Sequence, residues 1–459
     1  MTTAPMTSLD PLRATLEGTA LAPGDARYDE ARALFLGNID RRPAVIVEVA
    51  GPADVARAIA FARRAGLPLA VRSGGHGAGG FGGVDHGLVI DVRGLRSIDV
   101  DVDGRTAWAG AGLTAGEYTA AVVPHGLATG FGDTASVGIS GITLGGGVGY
   151  LSRLHGLTID SLLAAEVVTA DGRQVTVDED HHPDLFWAIR GGGGNFGVVT
   201  RLRYRLHDVS QFTGGMLVLP ATPETIAGAV ALADAAPDRL SAILNVMPCP
   251  PMPFVPAEAH GSPVILAMLA WTGPAAEGAE VIGRFRALAT PLADMVAEGP
   301  YTSMYPPEDG SYRPWAVQRT MFLDRVDVAD ARLMLDRLAD SDAPMRAVQL
   351  RVLGGAIARV PQGATAYAHR DRRMMAVVVS FHGPDDRPLR VAWVTSLADA
   401  LRQGAPGAYV NFLMDLGPDA VRDAYPGGTY ERLQAVKAVW DPGNVFRGNQ
   451  NIEPAAEAR

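Results

Sequence analysis

Residues 71–83 read VRSGGHGAGGFGG, a stretch that contains seven glycines and, near its centre, the histidine His76. Backbone without Cβ atoms can approach a phosphate or a flat ring closely, and its amides then act as hydrogen-bond donors. Two further clusters follow, GISGITLGGGVGY at 138–150 and RGGGGNFGVV at 190–199. One such loop is usually only a turn. Three together predict a long ligand lying along the backbone, with a pyrophosphate near the first two clusters and rings further on.

Two stretches match the G-x-G-x-x-G fingerprint of dinucleotide-binding folds, Gly75–Gly80 and Gly192–Gly197. That fingerprint requires a helix directly after the loop, because the amides of the helix N-terminus hold the pyrophosphate. Here the first match continues into a turn and the strand-like run at 87–93, and the second continues into the strand-like run at 198–206. Both matches are therefore false as Rossmann signatures.

Before residue 208, short strand-like runs alternate with short helices. AVIVEV at 44–49 precedes an amphipathic helix at 52–66, and LPLAVR follows at 67–72. Asp103-Gly104 and Asp171-Gly172 each join two strand-like runs and are typical of hairpin turns. This pattern predicts an α+β unit rather than a doubly wound parallel sheet.

From 209 to 408 the composition changes. Longer helices, such as 223–236 and 327–340, alternate with apolar runs, such as 263–271 and 374–382, which predicts an antiparallel sheet covered by helices on one side. A proline-rich segment at 247–256 predicts a loop. The last fifty residues, which contain a helix at 430–440, regain the character of the first unit. We expect domains at 1–208 and 209–408, and a segment at 409–459 that returns to the first domain.

Composition limits the classes of partner. The 459 residues carry a formal net charge of −10, and no basic block could neutralise the phosphates of a nucleic acid or of a membrane surface. The single cysteine, Cys249, excludes an internal disulfide and a metal site built from cysteines. The N-terminus resembles no signal peptide and no apolar run is long enough to span a bilayer, so a cytoplasmic protein is expected.

Four ordered motifs carry a family resemblance: RSGGH, GDTASVGISGITLGGGVGY, RGGGGNFGVVT and DPGNVFRGNQNI. Together they resemble the berberine-bridge-enzyme-like branch of the FAD-linked oxidases, which have the vanillyl-alcohol-oxidase or PCMH-type fold. The resemblance covers about residues 40 to 454. It implies an FAD-binding domain of two α+β subdomains, a substrate domain with a large antiparallel sheet, and a C-terminal segment that returns to the FAD-binding domain.

The resemblance also implies a covalent cofactor, because the histidine of this motif is joined to the 8α-methyl carbon of FAD, and that position is His76. The alternative is a loop histidine that only makes hydrogen bonds. Many relatives carry a second link through a cysteine, but Thr134 stands at that position, so a single bond is expected. With the glycine motifs, the predicted cofactor-binding residues are Arg72, Ser73, Gly74, Gly75, His76, Gly77, Asp133, Thr134, Val137, Gly138, Gly141, Thr143, Gly146, Gly147, Gly149, Tyr150, Gly197, Val198, Val199, Asn449 and Asn451.

Catalysis is expected to transfer a hydride from a substrate C–H bond to flavin N5, while a base takes a proton from an adjacent hydroxyl or amine. The family's Y-x-N-Y motif reads Tyr409-Val-Asn411-Phe412 here, so one of its two phenols is missing. Tyr409 is the first candidate for the base. Tyr367 and His369 are alternatives because Arg370 adjoins them and a phenolate needs a nearby cation. Each of these side chains could instead be a packing residue.

The predicted function is an FAD oxidase that acts on a small secondary-metabolite alcohol or amine. Val137 occupies the family position that controls access of oxygen to flavin C4a, and its small side chain favours O₂ as acceptor and H₂O₂ as product. The alternatives are a dehydrogenase with another acceptor, or a flavin-containing cyclase or binding scaffold without net redox change. The expected partners are a small-molecule substrate and O₂, without nucleic acid or membrane, and a homo-oligomer is left open.

Overall fold

The computed structural model describes residues 8–306, 310–404, 406–414 and 417–456. The outermost residues of the expected domains, 1–7 and 457–459, lie outside the described ranges. In the part of the chain that is described, each helix is too short or too polar to cross a bilayer.

Residues 8–208 form short strands and helices, and many of their buried apolar residues belong to one large cluster. The strands are β1 (Thr19–Leu21), β2 (Val45–Glu48), β3 (Leu69–Arg72), β4 (Leu88–Asp91), β5 (Ile98–Asp101), β6 (Thr106–Gly110), β7 (Leu127–Ala128), β8 (Leu162–Val168), β9 (Gln174–Val177), β10 (Val198–Arg205) and β11 (His207–Asp208). The helices are α1 (Asp10–Arg13), α2 (Tyr28–Arg32), α3 (Pro52–Ala65), α4 (Ala115–Val122), α5 (Ile139–Leu144), α6 (Ser152–His155) and α7 (Pro183–Ile189).

Two sheets organise this half of the molecule. One runs in the order β1-β2-β4-β3, with parallel pairing of β2 and β3 to β4, and the other runs β5-β6-β10-β8-β9 with antiparallel pairing throughout. Helix α3 begins at Pro52, where a missing amide hydrogen costs nothing, and ends before Gly66, whose φ of +63° is the left-handed conformation that favours glycine. The two predicted hairpins at Asp103-Gly104 and Asp171-Gly172 are confirmed.

The next two hundred residues build one large antiparallel sheet. Its strands are β12 (Phe212–Pro220), β13 (Leu240–Pro248), β14 (Pro263–Thr272), β15 (Ala293–Asp294), β16 (Ala297–Glu298), β17 (Ala316–Leu323), β18 (Arg346–Val352) and β19 (Met374–Phe381). The helices that follow α7 are α8 (Pro223–Ala235), α9 (Ala275–Arg286), α10 (Val328–Ala339), α11 (Ala356–Arg359), α12 (Arg387–Leu401), α13 (Pro418–Ala424) and α14 (Thr429–Trp440).

The large sheet runs in the order β15-β12-β14-β13-β18-β19-β17. One face packs against α8, α9, α10 and α12 in a continuous apolar cluster, as predicted. Residues of the other face alternate with these core residues, as the two-residue period of a strand requires. The α+β class is confirmed, but the prediction of a loop at 247–256 is wrong for its first two residues: Met247 and Pro248 extend β13 by pairing with Val264 and Pro263.

The buried ammonium of Lys437 links the C-terminal segment to the first half of the chain. The Lys437 ammonium donates to the Asp441 carboxylate at 2.8 Å, and to the carbonyls of Asn195 at 2.6 Å and Phe446 at 2.9 Å. Both charged side chains are fully buried. Asn195 shapes the third glycine turn, as predicted, by donating to the Gly192 carbonyl. Its amide also donates to the Gln450 carbonyl and accepts from the amide of Ile452.

We predict that Lys437→Met lowers the free energy of unfolding by about 3–5 kcal/mol, because the carboxylate of Asp441 would remain buried without its cation. Thermal or urea unfolding checks this. The control is Arg284→Met, which removes an exposed pair with Glu280 and should cost about 0–1 kcal/mol. Equal stabilities of the two variants would show that the buried pair does not fasten the segment.

Candidate active site

A cavity of about 470 Å³ lies between the glycine clusters and the uncovered face of the large sheet. Its first wall is formed by the loop after β3, by residues around helix α5, by the third glycine cluster and by the C-terminal residues 448–450. Its second wall is formed by strands β13, β17, β18 and β19 together with residues 409–412. The cavity therefore has a glycine-rich wall on one side and side chains of the sheet on the other.

Most of the predicted cofactor residues line this cavity. They are Arg72, Ser73, Gly74, Gly75, His76, Gly77, Asp133, Thr134, Val137, Gly138, Gly141, Gly197, Val199 and Asn449. The sequence places them in segments up to 377 positions apart, from Arg72 to Asn449, and the fold brings them onto one surface.

The other predicted cofactor residues lie behind the wall. The hydroxyl of Thr143 bonds to the Ile139 carbonyl and to Tyr204, and Tyr150 packs on Tyr305 in a separate apolar cluster. Val198 is a core residue, and Asn451 is partly buried without lining the cavity. The remaining three are glycines that support loop contacts: Gly146, Gly147 and Gly149.

The glycines of the first wall have two distinct uses. A Cβ on Gly74 would lie 2.3 Å from the backbone nitrogen of Gly138, so glycine there lets the first two clusters touch. A Cβ on Gly141 would meet no atom within 4 Å and would project into the cavity instead. The Asn449 side-chain oxygen is buried and has no hydrogen-bond partner among the described residues. Side chains larger than glycine would fill this part of the wall (the cradle), and the Asn449 oxygen beside it can accept a hydrogen bond. Such a surface fits a flat polar ring such as that of a flavin.

The imidazole of His76 stacks on the ring of Phe35, with a centroid separation of 4.1 Å and an interplanar angle of 19°. Both side chains line the cavity. Sequence reasoning did not identify Phe35, which lies 41 positions before the histidine and in no glycine motif.

Tyr409 is the one of the three predicted base candidates that lies on the described cavity wall. Its hydroxyl accepts hydrogen bonds from the Gly147 amide and from the Asn411 side chain, both at 2.8 Å. Burial raises the pKa of Tyr409 above its ordinary value, while these two donors and the charge of Arg351 act in the opposite direction. The site therefore contains groups that favour a phenolate.

Tyr367 and His369 lie behind the cavity wall and do not line it. Burial raises the pKa of Tyr367, and burial followed by the charge of Arg372 lowers the pKa of His369 to about 4. The cation invoked to assist them, Arg370, forms two hydrogen bonds of 2.7 Å with the Asp160 carboxylate. Its charge is therefore already paired within the protein.

Sequence reasoning missed a polar network on the sheet wall. Arg351 donates to the Asp133 carboxylate at 2.6 Å and to the Gln349 side chain at 2.9 Å, and Gln349 donates to Asn245 at 2.9 Å. Gln318 also lines the cavity and donates to the Phe412 carbonyl. The available signal was the alternation of polar and apolar residues in RAVQLRV at 346–352, which places Gln349 and Arg351 on one face of the strand.

Known proteins are similar to this chain in sequence and in fold. A family model described as an FAD binding domain matches residues 43–178, and one described as berberine and berberine like matches residues 408–453. The chain is 31% identical over 461 residues to the uncharacterized FAD-linked oxidoreductase YgaK of Bacillus subtilis strain 168, covering 96% of this chain and 97% of that protein.

The chain belongs to the berberine-bridge-enzyme-like FAD-linked oxidoreductases.

Two further similarities concern a single activity. The chain is 29% identical to (R)-6-hydroxynicotine oxidase of Paenarthrobacter nicotinovorans, over 96% of this chain and 97% of that protein. The crystal structure of 6-hydroxy-D-nicotine oxidase from Arthrobacter nicotinovorans superposes with a TM-score of 0.86 at 25% identity, covering 98% of this chain and all of that one. The predicted family, PCMH-type fold and redox enzyme class are confirmed. The cavity thus belongs to an FAD-linked oxidoreductase.

We predict that Gly141→Leu yields a folded protein with little bound flavin, because leucine favours the helix but its side chain fills the cradle. The ratio of flavin to protein absorbance measures this. Gly283→Leu is the matched control, since that glycine also lies in a helix and a Cβ there meets no atom within 4 Å. Flavin loss in both variants, or in neither, would contradict the assignment of the cradle.

Proposed function

We propose that this enzyme is an oxidase with one covalent link between FAD and His76, which oxidises a small secondary-metabolite-type alcohol or amine. The observation that supports this is that His76, Val137 and Tyr409 line the same cavity. When bound, FAD supplies the hydride acceptor at N5 and passes the two electrons to O₂, which gives H₂O₂.

The proposed link joins a ring nitrogen of His76 to the 8α carbon of the flavin. A neutral imidazole nitrogen is a competent nucleophile near neutral pH. A second link is not expected, because Thr134 stands on the wall where relatives have cysteine, and its hydroxyl bonds to Asp133. Cys249 lies in a separate apolar cluster and does not line the cavity.

We propose Tyr409 as the base that takes the proton from the substrate hydroxyl or amine. Three groups favour its ionised form: the Gly147 amide, the Asn411 amide and the Arg351 guanidinium. The Arg351 side chain is held in place by Asp133 and Gln349, so its charge stays near the phenol. Its guanidinium also lies over the ring of Phe412, 5.2 Å from the centroid, and that ring packs edge-on against Tyr409.

The charges of the wall favour an uncharged substrate. Among its described residues, the carboxylate and guanidinium groups are those of Arg72, Asp133 and Arg351, and each is paired: Arg72 with Asp91, and Asp133 with Arg351. An ammonium or carboxylate would be buried without a counter-charge, which is costly. The side-chain amides of Asn245, Gln318 and Gln349 offer donors and acceptors to an alcohol or a neutral amine instead.

The proposed acceptor is O₂. Oxygen can reach the flavin past residue 137 only if that residue lines the cavity and has a small side chain. Val137 meets both conditions. The proposed flavin-binding unit comprises residues 1–208 and 409–459, and the sheet at 209–408 supplies the substrate wall.

We predict that wild-type protein precipitated with acid retains its yellow colour in the pellet, whereas His76→Ala releases any flavin into the supernatant. Absorbance of the two fractions measures this. His86→Asn is the control, because His86 lies in the same segment at a φ of +57°, which asparagine tolerates, and it should behave as wild type. A coloured pellet from His76→Ala would place the bond elsewhere.

We predict that Tyr409→Phe lowers kcat about 10²–10⁴-fold, which is the rate contribution typical of a general base. The flavin content should be unchanged. Peroxide release is the assay, on a substrate found by anaerobic bleaching of the flavin with a panel of neutral alcohols and amines. Tyr367→Phe is the control, since that hydroxyl lies behind the wall and has no partner among the described residues.

The same assay tests the role of Arg351. The base acts when deprotonated, so activity rises with pH through its pKa. Arg351→Met removes a charge that lowers this pKa, and the rising limb should move to higher pH by about one unit or more. The assignment of Tyr409 as the base would be contradicted by either of two results. One is a rising limb at the same pH in Arg351→Met as in wild type, and the other is a loss of activity in Tyr367→Phe equal to that in Tyr409→Phe.

A further inference from the structure

We propose that Phe35 is a positioning residue that orients the His76 imidazole for covalent attachment of the flavin. This inference rests on the proposed histidyl link. The observation that supports it is the stacking of the Phe35 and His76 rings in the cavity wall, with centroids 4.1 Å apart and planes 19° from parallel.

The loop that bears His76 has few side chains next to the imidazole in sequence. The sequence neighbours at 74, 75, 77, 79 and 80 are all glycine. A loop of this kind permits close approach of a ligand, but it provides no adjacent side chains that could select one rotamer of the imidazole. The Phe35 ring, which lies outside the loop, supplies a contact to the face of the imidazole.

The Phe35 ring restricts rotation of the His76 side chain by packing against the face of the imidazole. Both ring nitrogens point outward in the plane of an imidazole, so a partner stacked on the face limits rotation of the ring and leaves the edges accessible. A side chain that held the imidazole by a hydrogen bond would instead occupy one of its two ring nitrogens. An aromatic ring is thus suited to holding a nucleophile that has to use one of its nitrogens.

The Phe35 segment is hydrogen-bonded on two sides, to the loop that bears His76 and to the residues that precede β17. The Phe35 amide donates to the Gly75 carbonyl at 3.2 Å. On the other side, Arg313 donates to the Leu34 carbonyl at 2.7 Å, and the Gly37 amide donates to the Pro314 carbonyl at 3.0 Å. The residues at 313–314 lead into β17 of the large sheet, so both halves of the molecule position Phe35.

Orientation matters because of the chemistry of attachment. A bond forms between an imidazole nitrogen and the 8α carbon, and the nitrogen and the carbon each lose one hydrogen. The two electrons left on the flavin and the two protons pass to O₂, which becomes H₂O₂. The rate of bond formation depends on the angle at which the nitrogen lone pair meets the carbon, and small displacements of reacting atoms slow such steps strongly.

The test uses the full-length chain produced in flavin-limited cells and then supplied with FAD. Acid-stable flavin on the denatured chain is measured over time, beside total bound flavin and the thermal unfolding midpoint. The variants are Phe35→Leu, which removes the aromatic ring, and Phe35→Tyr, which retains it. Phe254→Leu makes the same change at an exposed phenylalanine that does not line the cavity, and it should leave attachment at the wild-type rate.

We expect Phe35→Leu to bind FAD but to form the covalent link about ten-fold more slowly, and Phe35→Tyr to restore the rate. A wild-type rate in Phe35→Leu would overturn the proposal. So would loss of total flavin in Phe35→Leu, because Phe35 would then shape the cavity rather than orient the histidine. Absence of acid-stable flavin from the wild-type chain would instead contradict the histidyl link itself.

Discussion

The geometry of the cavity depends on the buried ammonium of Lys437. A lone buried cation is unfavourable, so it requires an anion and further acceptors, which Asp441 and the carbonyls of Asn195 and Phe446 provide. Because Asn195 belongs to the third glycine cluster, the hydrogen bonds of the Lys437 ammonium join the last helix to that cluster and to the C-terminal residues. Residues 448–450 can then form part of the cavity wall.

The two walls of the cavity differ in what they can do. On the flavin side, glycine backbone allows close approach and His76 supplies a nucleophile. On the sheet side, carboxamides and paired charges offer hydrogen bonds, and Tyr409 is the proposed base. The Asp133–Arg351 pair, at 2.6 Å, joins the walls, since Asp133 lies in the flavin half and Arg351 on strand β18. That pair also holds the guanidinium whose charge acts to lower the pKa of Tyr409.

The sequence predicts the features of this molecule that depend on neighbouring residues. Helix α3, the hairpins at Asp103-Gly104 and Asp171-Gly172, and the alternation within the large sheet follow from local periodicity and turn chemistry. The motif order also identified the family and a position on the cavity wall for His76.

Contacts between distant segments were not predictable in the same way. Arg351 and Asp133 are 218 positions apart, and Arg370 adjoins Tyr367 and His369 in sequence although its charge is bound by Asp160. Gly146 and Gly149 belong to the second glycine cluster, but their place outside the cavity lining could not be read from the motif.

One measurement bears directly on the central claim, that the glycine-rich loop holds FAD through one imidazole. Trypsin cleavage after Arg72 and Arg93 releases residues 73–93, which contain both His76 and His86. Fragmentation mass spectrometry of this peptide should place one FAD on His76; an unmodified peptide, or FAD on His86, would contradict the account.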